Sequence, residues 1–365
     1  MKTKGGKAER ANDRQTGYDP DSIGGAGAIR DTTLTPRRRR GQGHPADSLM
    51  KVLLASPRGF CAGVDRAVKI VDLALLVFGP PVYVRREIVH NSHVVGRLRE
   101  RGAVFVQELA EVPEGAVAVL SAHGVAPQVF AEAKRRGLRL IDATCPLVTK
   151  VHLEVHRYVR RGYHIVLIGH QGHDEVIGTL GESPEHITLV ENEEQARDAA
   201  IPADCRLVVL TQTTLGVDDT AGVVAVLRER FPDLELPPTE DICYATQNRQ
   251  DAVKAMADQG IQLLLVVGSA NSSNAARLVE VGKARGLKGY LIDSPADIRP
   301  EWLADVDLVG VTAGASTPEE VVNDVLNRLQ ELGATTIEPC QTTVEHTVFQ
   351  IPPALRVHAD AAFRP

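Results

Sequence analysis

The chain is 365 residues long, 43% apolar and 24% charged, with 31 glycines and 21 prolines. Those values suit a globular chain large enough for two or three domains and exclude collagen-like, mucin-like and wholly disordered proteins. A formal charge of −6 and an aromatic content of only 4% argue against a nucleic acid as main partner, which would call for a basic surface and stacking platforms.

Residues 1–49 hold two glycine-rich stretches and the run Arg37 to Arg40, with almost no apolar periodicity, and carry a net +4. They read as a disordered basic extension. Met50 stands immediately before the first strand-like run and is a candidate downstream translation start. From there short β-branched runs (VLLA, VAVLS, LRLIDA, HIVLIG, RLVVLT, LLLVVG, DLVGVT) alternate with amphipathic stretches. The pattern predicts helices at 64–78, 128–137, 147–161, 218–231, 248–259, 274–285 and 318–332. Strands alternating with helices of this length imply α/β units with buried parallel strands. The longest apolar run, LALLVFGPPVYV, is broken by two prolines and is too short to span a membrane. The amino terminus lacks the apolar core of a secretory signal, and five cysteines are too few for a disulfide framework. A cytoplasmic, reduced chain with no membrane partner is expected.

Three of the five cysteines share a context, each following an extended run and preceding a helix: PRGFCAGV at Cys61, DATCPLVTKV at Cys145 and DICYATQNRQ at Cys243. They lie 84 and 98 residues apart, the spacing of three related units. In each unit a polar cluster follows 28 or 29 residues later, at His90, His173 and Ser272, and a second stands at His123, Thr213 and Ser316. The units divide as 50–145, 146–242 and 243–337, with 338–365 as a C-terminal tail. Functional groups of open α/β sheets collect where strands end and helices begin, so three such units around a pseudo-threefold axis aim three thiols at one centre. Three thiolates suit an iron-sulfur cluster or another soft metal, and the helix amino termini should favour the ionised thiol. Cys205 and Cys340 lack the context and read as inert.

The remaining turns look like an anion cradle and an acid relay. NSSN at Asn271 to Asn274 and GAST at Gly314 to Thr317 are small, hydroxyl-rich and upstream of helices, and His90 and His123 can be cationic before an anion. Neither a Walker motif nor a complete GxGxxG accompanies them. In the second unit, GHQGHDE brings His170, His173 and Glu175 beside the hydroxyls of Thr213 and Thr214, which suits proton transfer. These residues by themselves leave open an aconitase-like dehydratase, and a non-enzymatic iron-sulfur or zinc protein binding nucleic acid through Arg37 to Arg40.

The motifs PRGFCAGV, HNSHVV, SAHGVAP, DATCPLVTKVH, GHQGHDEVIG, TQTTL, ICYATQNRQ, VVGSANSSNAARL and GVTAGASTPE occur in that order. Over about residues 50–355 the chain closely resembles the 4-hydroxy-3-methylbut-2-enyl diphosphate reductases, terminal enzymes of the non-mevalonate isoprenoid pathway. The resemblance implies a trefoil of three α/β units around one [4Fe-4S] cluster per chain, held by Cys61, Cys145 and Cys243 with one iron open. It implies that His90, His123, Ser272, Ser273, Asn274 and Ser316 hold the substrate's diphosphate, with His173 at the edge, and that Glu175 donates a proton, aided by Thr213. The implied reaction is reductive dehydroxylation of the allylic diphosphate to isopentenyl and dimethylallyl diphosphate, with electrons from a ferredoxin or flavodoxin.

Overall fold

The computed structural model describes residues 50–202 and 204–356. The expected disordered extension at 1–49 and the end of the tail, 357–365, lie outside the described residues. The chain begins with strand β1 (Met50–Ser56), whose end leads to Cys61 and helix α1 (Ala62–Phe78). Next come β2 (Val82–Arg85), α2 (Ser92–Glu100), β3 (Ala103–Val106), β4 (Val117–Leu120), α3 (Pro127–Arg135) and β5 (Arg139–Asp142). Cys145 then opens α4 (Pro146–Arg160), followed by β6 (Tyr163–Ile168), α5 (Asp174–Glu182), β7 (Ile187–Val190), α6 (Glu193–Asp198), β8 (Arg206–Thr211) and α7 (Val217–Arg230). Cys243 opens α8 (Tyr244–Asp258), and β9 (Leu263–Val267), α9 (Ser273–Ala284), β10 (Lys288–Ile292), β11 (Leu308–Ala313), α10 (Glu319–Glu331) and β12 (Ala334–Gln341) complete the chain's regular structure.

Three sheets form, all of parallel pairs: β3-β2-β4-β5, β7-β6-β8 and β10-β9-β11-β1-β12. Helices cover both faces, which is why VAVL of β4 and LLLVV of β9 are buried without alternation. In each sheet the strand after the cysteine's helix is central, the next lies on one side and the third on the other. The fourth position holds β5 in the first unit. In the second it shrinks to a parallel bridge between Val208 and Glu235.

The third unit fills that position with β1, the strand that precedes Cys61. Residues 50–56, expected in the first unit, therefore belong to the third, with Val52 beside Val309 on one side and Ile337 on the other. The reason is general to the ring. Each cysteine follows the fourth strand of one unit and opens the first helix of the next, so a boundary drawn at the cysteine cuts between strand and helix. The expected tail is corrected in the same way: its first residues finish β12, and Cys340 is buried in the core between β1 and α8. Beyond β12 the chain crosses back to the first unit, where Leu355 and Ile351 pack against the α1 core.

Candidate active site

Each cysteine is the residue that caps its helix, Cys61 before α1, Cys145 before α4 and Cys243 before α8. One backbone bond recurs three times to hold these caps. The Cys145 N–H donates to the Ala122 carbonyl (2.9 Å), Cys243 to Thr213 (3.0 Å) and Cys61 to Ala315 (3.2 Å). Each thiol is thus pinned to the second polar turn of the preceding unit in the ring. The residues following those carbonyls are His123, Thr214 and Ser316, so Thr214 rather than Thr213 is the threefold counterpart of the other two.

All three cysteines and every expected ligand of the substrate line one cavity of about 770 Å3, mouth included: Cys61, Cys145, Cys243, His90, His123, His173, Glu175, Thr213, Ser272, Ser273, Asn274 and Ser316. No pair of cysteines is joined. Gly63 shows how closely the first two approach, since a Cβ there would lie 2.7 Å from the Cys145 Sγ and 3.8 Å from that of Cys61. The Cys243 thiol accepts from the Thr246 amide and lies 3.0 Å from its hydroxyl. Burial pushes Cys145 up to about 12 and Cys243 up to about 11, with the neighbouring cysteines adding to the shift. The expected help from helix amino termini is real but smaller than the desolvation cost. A metal centre reverses that balance, because coordination deprotonates a thiol. Three soft donors, a glycine cradle and no joined pair fit an iron-sulfur centre; Cys205 and Cys340 lie outside the cavity lining and cannot complete a fourth position.

Glu175 sits in the first turn of α5, 3% exposed. Its Oε1 accepts from the Thr213 amide (2.7 Å) and its Oε2 from the Thr213 hydroxyl (2.9 Å). Burial nevertheless holds the carboxyl up at about 7, outweighing both bonds. Thr213 thereby joins the acid to Cys243, whose amide its carbonyl accepts. Helix α5 is itself capped by His173, whose Nδ1 accepts from the Glu175 amide (3.2 Å). The proton of His173 is left on Nε2.

The three histidines form one cluster. His90 and His123 stack with ring centres 4.1 Å apart, and His173 meets both edge-on. His90 Nδ1 donates to Glu87 (3.1 Å), whose carboxylate also accepts from Asn271 of the third unit. Of His90 and His123, the pair expected to be cationic before an anion, burial and the other histidines hold His123 well below its ordinary value, and the same causes hold His173 at about 4. In the protein alone these rings are neutral, and an anion must arrive to favour their charge. Asp174 lies 3.9 Å from His123 Nδ1, but its charge is satisfied by Arg86.

The hydroxyl-rich turns divide their work between structure and cavity. Ser272 caps α9 by accepting from the Ala275 amide, and its own proton faces no partner among the described residues. Ser273 shares a hydroxyl contact with Thr214, which Gln212 also reaches. Ser316 donates to the His90 carbonyl, linking third unit to first. Asn274 accepts from the Ala315 amide and donates one of its two amide protons to Thr246. It therefore positions the Cys243 and Ser316 turns. Thr246, Gly63, Glu87 and Phe349 escaped the sequence reading, and Thr214 was read there only as part of the acid relay. Thr214 and Gly63 stand inside motifs already singled out, and Phe349 arrives from the crossing segment after β12.

A family model described as "LytB protein" matches residues 52–330. The 4-hydroxy-3-methylbut-2-enyl diphosphate reductase of Psychromonas ingrahamii is 55% identical over 311 residues, covering 84% of this chain and 99% of that protein. That of Mycobacterium ulcerans is 54% identical over 335 residues, covering 92% and 97%. Among solved structures, the E-1-hydroxy-2-methyl-but-2-enyl-4-diphosphate reductase of Plasmodium falciparum superposes with a TM-score of 0.82 at 38% identity, covering 86% of this chain and 99% of that one.

Proposed function

The chain belongs to the LytB family and is an enzyme reducing 4-hydroxy-3-methylbut-2-enyl diphosphate in the last step of the non-mevalonate isoprenoid pathway; from that premise we propose that it works through an iron-sulfur centre and how its residues divide the reaction. Cys61, Cys145 and Cys243 would hold one [4Fe-4S] cluster per chain, leaving one iron without a cysteine. When bound, such a cluster supplies single electrons and a Lewis-acidic iron facing the substrate. The observation that carries this reading is the meeting, in one cavity, of three unjoined cysteines with a buried Glu175 whose carboxyl burial raises to about 7.

The diphosphate is an acceptor-only group and needs donors. Ser272 offers a free hydroxyl proton and His173 an Nε2–H, while Ser316 can turn its proton from the His90 carbonyl to the ligand. His123, stacked on His90, gains a proton as the anion enters, and Ser273 and Asn274 fix the α9 turn that presents it. With the diphosphate anchored there, the allylic end reaches toward the cysteines. Overall, substrate, two electrons and two protons give water and either isopentenyl or dimethylallyl diphosphate. Glu175, held by Thr213, keeps a proton near neutral pH and gives it up beside the reacting carbons.

Electrons would come from a separate redox protein, a ferredoxin or flavodoxin. Unjoined cysteines suit a reducing, cytoplasmic location. No helix among the described residues is long and apolar enough to cross a membrane. The test is iron and acid-labile sulfide per chain on anaerobically purified protein, with paramagnetic resonance of the reduced form with and without substrate. About four of each and a substrate-dependent signal are expected for a [4Fe-4S] centre. Zinc in place of iron, or turnover without reductant as a dehydratase would show, overturns the reading.

A further inference from the structure

Helices α4 and α5 pack together and line their shared face with titratable groups. His152 and His156 stand one turn apart on α4, and Glu175 and Glu182 two turns apart on α5. Glu182, 7% exposed, bridges the two histidines: its Oε1 lies 2.7 Å from His152 Nδ1 and its Oε2 2.7 Å from His156 Nε2. His156 is 44% exposed and meets solvent, whereas His152 is 11% exposed. The remaining ring nitrogen of His152, Nε2, is buried with no hydrogen-bond partner among the described residues. It faces the turn after His123, where a Cβ on Gly124 would lie 3.3 Å from it. A buried polar atom of this kind calls for a partner, and an ordered water is the usual one. His152 is also close enough for its charge to favour the ionised form of Glu175.

We propose that His156, Glu182 and His152 form a proton-entry path that recharges Glu175 from solvent during turnover. The inference rests on the reading of Glu175 as proton donor. Each turnover consumes two protons while one carboxyl holds one, and the substrate occupies the cavity through which water would otherwise bring the second. The path involves no electron transfer. The His152 Nε2–H bond breaks as the Glu175 O–H bond forms, across a bridging water. His152 Nδ1 takes the replacing proton from Glu182, and Glu182 is reprotonated on Oε2 by His156, which draws on solvent. The ring returns to its Nε2–H tautomer before the next turnover.

The test uses the anaerobic holoenzyme with a saturating small-molecule reductant, comparing Glu182→Gln and His156→Ala with Glu175→Gln. Glu182→Gln keeps the size of the bridge but cannot pass a proton. Its kcat should fall about a hundredfold, at the low end for a proton-transfer step, with KM and iron content unchanged and a larger solvent deuterium isotope effect. His156→Ala, a surface change that spares folding, should slow less and recover in imidazole buffer. An unchanged kcat and isotope effect in both variants, beside an inactive Glu175→Gln, overturns the path alone. Normal turnover in Glu175→Gln overturns the acid assignment and the path with it. A kcat that falls only in step with lost iron makes Glu182 structural and likewise overturns the path.

Discussion

Replacing Glu175 by Gln separates charge from shape at the proposed acid. The carboxyl accepts two bonds from Thr213, one from its amide and one from its hydroxyl. Glutamine can keep both, with Oε1 accepting the amide and Nε2 donating to a rotated hydroxyl, so no buried polar atom is orphaned. What disappears is titration. The wild-type carboxyl is raised from 4.5 to about 7 by burial. At about 1.4 kcal/mol per unit, ionising it in the folded state costs roughly 3 kcal/mol. The sign follows from the raised folded value: the stability is fully present below pH 4.5 and is lost as pH rises through about 7. Glu175→Gln does not titrate there, so it should gain on wild type by roughly 3 kcal/mol between pH 4.5 and pH 8. Turnover should meanwhile fall by roughly 10²–10⁴, the usual contribution of a positioned acid. Anaerobic urea unfolding at several pH values reads the first quantity and a single-turnover reductive assay the second. A variant that loses activity but shows the same pH dependence of stability as wild type would refute the claim that burial sets the Glu175 proton.

Serine at Cys61, Cys145 or Cys243 should each abolish iron retention, while Cys205→Ser should leave iron per chain unchanged; iron lost from Cys205→Ser would break the threefold assignment. Gly63→Ala should raise intrinsic helix propensity by about 1 kcal/mol yet lower iron content, because its methyl meets the Cys145 sulfur. Thr213→Val removes one donor to the Glu175 carboxylate, so the alkaline limb of the kcat profile should move upward by about one pH unit. A downward shift would show that the hydroxyl favours the neutral acid.

The local signals carried much of the architecture into the sequence. Seven of the helices were legible because each shows an apolar stripe uninterrupted by turn-like residues, and the threefold spacing of cysteines and turns was visible without any structure. Helices α2, α5 and α6 were not: α6 has only six residues, and α2 and α5, no shorter than α3, each contain glycine and open on residues that read as turns. That cost bears on the site: α5 carries Glu175, and its capping by His173 explains the histidine's tautomer. The membership of β1 in the third sheet could not be seen, because the pairing of Val52 with Val309 leaves no trace in either local pattern. Charge states failed for a related reason. Helix amino termini and hydroxyls are visible in sequence, but the burial that raises Cys145 and lowers His123 depends on what the other two units bring.

The ring that hands each cysteine from one sheet to the next has a temporal side. Strand β1 leaves the ribosome first, and its neighbours β11 and β12 leave last. The separation is roughly 250 residues, or some 10 to 50 s of synthesis at ordinary rates, during which Val52, Leu53 and Leu54 wait without a sheet. Cys61 is held by a bond to Ala315, so the third sulfur takes its place only after the chain has been made past Ala315. Cofactor insertion is therefore bound to follow biosynthesis, and a transcript truncated before β11 yields a polypeptide with two cysteines in register and the third adrift.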